Sequence, residues 1–213
     1  MRCDKKDLLL YGVTDRSWLG DRTLAQQVEA SLRGGATMIQ LREKHMDRGS
    51  ILAQALELRE LCGRYGVPLI LNDDAELAQA AGADGVHVGQ SDMEAGRVRA
   101  LLGEDKLIGV SVRTVEQALA AQAAGADYLG VGAMFPTGTK QDTRPVSYDT
   151  LKAICAAVDI PVVAIGGIGA GNVAELAGSG IAGVAVVSAL YAQPDVEAAT
   201  RSLRAQVERV VGP

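Results

Sequence analysis

The order of elements along the chain predicts an α/β fold, a single-domain (β/α)8 TIM barrel over residues 1–213. Three observations lead there. Short β-branched, apolar runs alternate about eight times with longer Ala-, Leu-, Glu- and Gln-rich stretches, the rhythm of strand–helix units. The runs are continuously apolar, as strands covered on both faces of a parallel sheet must be. One junction also recurs: Ala81-Gly-Ala-Asp84 and Ala124-Gly-Ala-Asp127 stand about forty residues apart, with Gly34-Gly-Ala-Thr37 a looser copy. Glycine there suits the left-handed residue that ends a helix, and Ala permits a tight entry to the next strand. Eight such units in 213 residues fit a compact barrel. A doubly wound open sheet is the runner-up, and the lack of GxGxxG after the first strand weighs against it.

In chain order, strands are expected at 8–13, 38–41, 69–71, 85–88, 107–110, 128–131, 162–165 and 183–187. Helices are expected between them at 23–33, 50–65, 75–81, 93–102, 114–124, 147–158, 171–177 and 195–211. Thr114-Val-Glu-Gln117 opens the fifth helix with the pattern of a capping box. No linker, low-complexity tract or shift in composition marks a second domain.

A formal charge of −5 argues against a general nucleic-acid binder. An acidic chain with anionic substrates must cluster its few cations locally or recruit a metal. Cys3, Cys62 and Cys155 are far apart and odd in number, which reads as reduced thiols, two of them buried in helices. The opening residues carry charge without an apolar run long enough for a secretory signal, and no stretch reaches a membrane span. A soluble, cytoplasmic protein with no membrane partner is therefore expected; a homo-oligomer is left open.

In such a barrel the functional residues stand just after each strand. The second strand ends in Gln40-Leu-Arg-Glu-Lys44, where alternation puts Gln40, Arg42 and Lys44 on one side as an anion clamp. The third ends in Asn72-Asp-Asp74 and the fourth in Gly89-Gln-Ser-Asp92. A lone Asp in these places is often a helix cap. Two adjacent strand ends with a carboxylate each are also able to share Mg2+, which takes one or two carboxylates plus substrate phosphate oxygens. Asp73 and Asp92 are the expected metal pair and Asp74 the cap. His87 reads as a satisfied core histidine and His45 as a loop residue. The fifth strand ends in Ser111-Val-Arg113.

The sixth strand runs into Pro136-Thr-Gly-Thr-Lys140, a loop offering backbone N–H groups, two hydroxyls and an ammonium. It lacks the GxxxxGK[ST] spacing of a Walker A loop. The seventh strand ends in Gly166-Gly-Ile168 and the eighth in Val187-Ser188, the glycine-rich phosphate site recurrent at this end of barrels. One mouth thus holds two anion sites, one with cations and carboxylates and one lined by glycine. Two phosphorylated small-molecule substrates suit that layout, and the 135–147 segment has the length and polarity of a lid.

Seven of these pieces in register resemble the thiamine-phosphate synthase family: Gln40-Leu-Arg-Glu-Lys44, Asn72-Asp73, His87-Val-Gly-Gln-Ser-Asp92, Gly109-Val-Ser111, the run from Tyr128 to Thr143, Ala164-Ile-Gly-Gly-Ile168 and Val187-Ser-Ala189. The resemblance implies a transferase. It would join 4-amino-2-methyl-5-hydroxymethylpyrimidine diphosphate to 4-methyl-5-hydroxyethylthiazole phosphate, or its carboxylated form, and release diphosphate. It further implies that Gln40, Leu41, Arg42, Glu43, Lys44, Asn72, Ser111 and Lys140 hold the pyrimidine diphosphate. Arg42, Lys44, Ser111 and Lys140 would act in catalysis, and Asp73 and Asp92 would bind Mg2+. Thr137, Gly138, Thr139, Gly166, Gly167, Val187 and Ser188 would hold the thiazole phosphate. One departure stands out, because the residue two after Ser111 is often His in this family and is Arg113 here. A thiazole tautomerase on the same fold, expected to use a His near that point, is a competing reading. Arginine is a poor proton donor or acceptor, which weighs against it. A non-catalytic barrel that binds thiamine precursors is the third.

Overall fold

A computed structural model describes residues 3–137 and 145–212. Its strands are β1 (Leu10–Val13), β2 (Met38–Leu41), β3 (Leu69–Asn72) and β4 (Gly85–Val88). They are followed by β5 (Leu107–Val112), β6 (Tyr128–Gly132), β7 (Val162–Ile165) and β8 (Gly183–Val186). All pair in parallel with their sequence neighbours, and β8 closes on β1. The helices are α1 (Leu24–Gly34), α2 (Arg48–Tyr65), α3 (Ala75–Ala81), α4 (Ala95–Leu102), α5 (Val115–Ala123), α6 (Tyr148–Ala157), α7 (Ser188–Tyr191) and α8 (Val196–Val211). The barrel expected from the sequence is the barrel observed.

The recurring junction is a clamp on the barrel's lower rim. At its end, the backbone N–H of Asp84 donates to Leu69 O (2.9 Å) while its carboxylate accepts the Leu69 N–H (2.8 Å). Asp127 repeats this against Ile108, at 2.8 Å in both directions, and Thr37 repeats it against Leu10 through its hydroxyl. Each junction therefore satisfies both backbone groups of one residue on the preceding strand, leaving neither orphaned in the wall. The helix-end carbonyls beside the junctions are bonded by cations: Gly35 O by Arg204, Ala83 O by Lys106 and Gly125 O by Arg99.

Alternation along the strands divides the apolar residues into two cores. Outward residues such as Ile39, Leu71, Val86, Val110, Val131 and Val184 pack beneath the helices. Inward residues Met38, Ile70, Leu107, Val163 and Ala185 fill the barrel, with Leu8 among them. Leu8 belongs not to β1, as expected, but to a 3-10 turn, Lys5–Leu8, which Asp4 caps.

Three other local expectations are corrected. Residues 171–177 do not form an α-helix; only a 3-10 turn, Val173–Leu176, is present. Gly178 and Gly180, at φ 75° and 91°, end it early, and the Asn172 side chain bonds Gly169 N and Gly167 O instead of capping a helix. The short α7 after β8 has no counterpart among the expected helices. At α5, Thr114 accepts the Gln117 N–H as expected, but the Gln117 side chain bonds Arg113 N at 2.8 Å, so the second half of the box sits one residue upstream.

Asp127 also pairs with Arg99 at 2.6 Å, both side chains being about 13–14% exposed. Asp127→Ala leaves a buried guanidinium without its counter-charge, bonded only to backbone carbonyls, and orphans the Ile108 N–H; it is expected to cost about 3 kcal/mol in urea denaturation. Asp84→Ala loses hydrogen bonds but, among the described residues, no ion pair, and should cost about 1–2 kcal/mol. Equal small losses would contradict the clamp.

Candidate functional site

The upper ends of the strands open into a cleft of about 640 Å3. Gln40, Arg42, Lys44, Asn72, Asp73, Asp92, Ser111, Thr137, Gly166, Gly167, Val187 and Ser188 all line it. This is the inward set selected from the strand ends. Gly138, Thr139 and Lys140, and with them most of the expected lid, lie outside the described residues.

Two of the expected residues do not line the cleft. Leu41 is 2% exposed and packs outward beneath the helices. Glu43 points away from the cleft onto Arg16, with Nε to Oε1 at 2.8 Å and its side chain 5% exposed. Both follow from the alternation that turns Arg42 and Lys44 inward. The Arg42 N–H is fixed by the fully buried Thr14, whose hydroxyl accepts it at 3.0 Å.

Asp73 and Asp92 stand at the ends of β3 and β4. Asp73 is held at φ 65°, a left-handed conformation uncommon for any residue but glycine, Asn or Asp. Its N–H donates to His87 O at 2.8 Å, tying it to the neighbouring strand. Backbone strain of this kind, of order 1–3 kcal/mol, is typically kept where a side chain must be aimed. Asp92 folds back over a tight turn so that Oδ2 accepts the Gly89 N–H at 2.7 Å. Although Asp73 lies at the open mouth, the cleft walls strip part of its water. That desolvation, with the Asp92 carboxylate beside it, pushes its pKa up to about 6; Asn72 and Lys44 act in the opposite direction. Among the described residues no third His, Cys, Asp or Glu closes the pair into a cage. Asp74 is the cap of α3, accepting the Leu77 N–H at 2.8 Å.

The glycines after β7 have a packing role. Gly166 and Gly167 adopt φ 97° and 68°. A Cβ on Gly166 would meet Ala133 Cα at 2.6 Å, and one on Gly167 would meet Pro136 O at 2.5 Å. The loop after β6 rests directly on them, through Met134 N to Ile165 O and Phe135 N to Gly166 O, both at 3.0 Å. Beyond them lies a second cleft of about 540 Å3, which shares Thr137, Gly167, Ile168 and Ser188 with the first and is walled by Trp18 and Asn172.

Sequence reasoning missed a polar layer beneath the cleft. Gln40 Nε2 bonds Tyr11 Oη (2.6 Å), which bonds Tyr128 Oη (3.0 Å). Tyr128 Oη bonds His87 Nδ1 (3.2 Å), and His87 Nε2 bonds Ser111 Oγ (2.9 Å). His87 is buried and satisfied, as expected of it. Cys62 and Cys155 lie in helices, and burial pushes their thiols up to about 12 and about 11, so neither is a thiolate at neutral pH. No helix among the described residues is long and apolar enough to cross a membrane.

Residues 10–190 match the family described as thiamine monophosphate synthase. The chain is 48% identical over 199 residues to the thiamine-phosphate synthase of Ruminiclostridium cellulolyticum, covering 93% of this chain and 95% of that protein. It is 50% identical over 202 residues to the thiamine-phosphate synthase of Chloroflexus aurantiacus, covering 94% and 93%. The solved thiamine phosphate pyrophosphorylase of Pyrococcus furiosus superposes with a TM-score of 0.90 at 38% identity, covering 98% of this chain and 99% of that one.

The raised pKa of Asp73 carries a sign. The native state holds the proton more tightly than the unfolded chain, so its contribution is favourable at low pH and is lost as pH rises from the ordinary value of 3.8 through about 6. Asp73→Asn is therefore expected to raise the thermal midpoint of the metal-free protein at pH 8. The gain should shrink as pH falls through about 6. A lower midpoint at pH 8 would contradict the repulsion.

Proposed function

The chain belongs to the thiamine monophosphate synthase family, and from that premise we propose how its cleft works as a thiamine-phosphate synthase, a transferase of thiamine biosynthesis. The substrates are 4-amino-2-methyl-5-hydroxymethylpyrimidine diphosphate and 4-methyl-5-hydroxyethylthiazole phosphate. A carboxylated thiazole would lose CO2 as well. The observation that carries this reading is the pair Asp73 and Asp92 at the cationic end of a cleft that continues into a second, glycine-floored one.

The pair fits Mg2+. Two carboxylates, one already resisting ionisation, gain from a shared divalent cation, and the open side leaves room for diphosphate oxygens. When bound there, Mg2+ supplies charge neutralisation to the leaving diphosphate. Arg42, Lys44 and Arg113 line the same cleft and add fixed positive charge. Gln40, Asn72 and Ser111 orient the pyrimidine. The family resemblance assigns Lys140, outside the described residues, to the diphosphate as well.

The reaction breaks the bond between the pyrimidine's exocyclic carbon and the diphosphate oxygen, whose electron pair leaves with the diphosphate. The electron-rich aminopyrimidine supports the cation left on that carbon. The thiazole nitrogen then gives its lone pair to form the C–N bond. That nitrogen has no proton to lose, so no general base is required, and positioning with charge stabilisation is enough. Thr137, Ser188, Val187 and the Gly166–Gly167 turn hold the thiazole phosphate on the far side of the same mouth; Gly138 and Thr139, outside the described residues, are assigned to it by the family resemblance alone.

Incubation with both substrates and Mg2+ should release diphosphate and form thiamine phosphate; no product from folded protein would overturn the reading. Asp92→Ala should abolish most turnover, with partial rescue by excess Mg2+. Ser188→Ala should weaken thiazole phosphate by about 0.5–1.5 kcal/mol, the span of one hydrogen bond, and leave the pyrimidine KM unchanged. An equal rise in both KM values would contradict the division into two sites.

A further inference from the structure

The reaction above uses Gln40 and Ser111 but gives no task to the three polar groups that connect them. Tyr11 and Tyr128 are fully buried and His87 is 8% exposed. Phenylalanine would fill either tyrosine's place without burying a hydroxyl, which costs free energy unless bonded. Room has been made for the arrangement: a Cβ on Gly109 would collide with the Tyr128 ring, and one on Gly130 would meet His87 Cε1 at 3.0 Å. The chain crosses five strands, from β2 through β1, β6 and β4 to β5, and both of its ends line the cleft.

We propose that Tyr11, Tyr128 and His87 are positioning residues, forming a one-way hydrogen-bond chain that presents the Ser111 hydroxyl to the pyrimidine substrate as a donor. The proposal rests on the reading that places that substrate against Gln40 and Ser111. Its direction is set at the Gln40 end. The Nε2 amide group there is a donor only, so Tyr11 Oη accepts from it at 2.6 Å. The Tyr11 hydrogen then goes to Tyr128 Oη, and the Tyr128 hydrogen to His87 Nδ1. An accepting Nδ1 requires the neutral tautomer that carries its proton on Nε2. That N–H points at Ser111 Oγ, 2.9 Å away. Ser111 accepts from within, so its own hydrogen turns outward to the cleft, where a ring nitrogen or a diphosphate oxygen can receive it. A reversed chain would draw that hydrogen back onto His87 and offer the substrate only lone pairs.

The chain acts through Ser111, which gives its test two independent readouts. The first is the His87 tautomer, read from imidazole 15N shifts in the substrate-free wild-type protein. The proposal requires the proton on Nε2; a proton on Nδ1, or on both nitrogens, overturns it. The second is a double-mutant cycle in the steady state. Tyr128→Phe removes the donor to Nδ1 and should lower kcat/KM for the pyrimidine diphosphate by roughly 10- to 100-fold, the range of one hydrogen bond to a charged group. The KM for the thiazole phosphate should not change. Tyr128→Phe in a Ser111→Ala background should cost almost nothing more. Additive losses, or a matching rise in the thiazole KM, would show a merely structural role and overturn the proposal. Tyr11→Phe breaks the chain one link earlier and repeats the cycle should Tyr128→Phe fold poorly. A wild-type protein that folds but makes no product would refute the reaction instead, with the tautomer still deciding the chain.

Discussion

Two carboxylates held side by side at the ends of neighbouring strands are the constraint to which the rest of the mouth answers. The Asp92 carboxylate, together with lost solvation, raises the cost of ionising Asp73. The fold accepts that cost along with a left-handed backbone at Asp73 and a tight turn at Gly89. Lys44, Arg42 and Arg113 line the same cleft, and among the described residues none forms an ion pair with either carboxylate. A closed ion pair would stabilise the empty protein. Under the proposed function, an open arrangement leaves the charges available to a cation and to the polyanion it accompanies.

Barrel closure makes this arrangement affordable by giving the two rims different work. Below, the junctions ending in Thr37, Asp84 and Asp127 bond both backbone groups of a strand residue, and Arg99, Lys106 and Arg204 bond the helix-end carbonyls. Above, the strand ends carry strain, like charge and glycine. Between them, the polar layer from Gln40 to Ser111 satisfies itself inside an otherwise apolar barrel. The stiff lower rim allows the upper one to be shaped for ligands.

Much of this was legible from strand ends. Inward alternation located Gln40, Arg42 and Lys44, and adjacency of the third and fourth strands located Asp73 and Asp92, because both rest on local periodicity. The same alternation, applied to Leu41 and Glu43, shows why they face away. Tyr11 and Tyr128 escaped notice because a tyrosine in an apolar strand looks like core. Their hydroxyl partners lie across the barrel, 117 residues apart in sequence, beyond any local pattern. The repeated junction was recognised as a helix stop, but its carboxylates' bonds to the preceding strand exist only once the strands have closed. Gly166 and Gly167 are expected at the phosphate; what their contacts with Ala133 and Pro136 show is that they seat the neighbouring loop. At the expected seventh helix, the Asn172 side chain bonds the Gly167–Gly169 turn instead of capping, a contact that composition does not show.

The account turns on whether Asp73 and Asp92 form a site that waits for a cation. Titrating the aspartate carboxyl 13C shifts of the metal-free protein, and repeating the titration at saturating Mg2+, tests this directly. The predicted result is an Asp73 midpoint near 6 without metal that moves down toward the ordinary 3.8 when Mg2+ is present. An Asp73 midpoint near 3.8 in both titrations, unmoved by Mg2+, would contradict it.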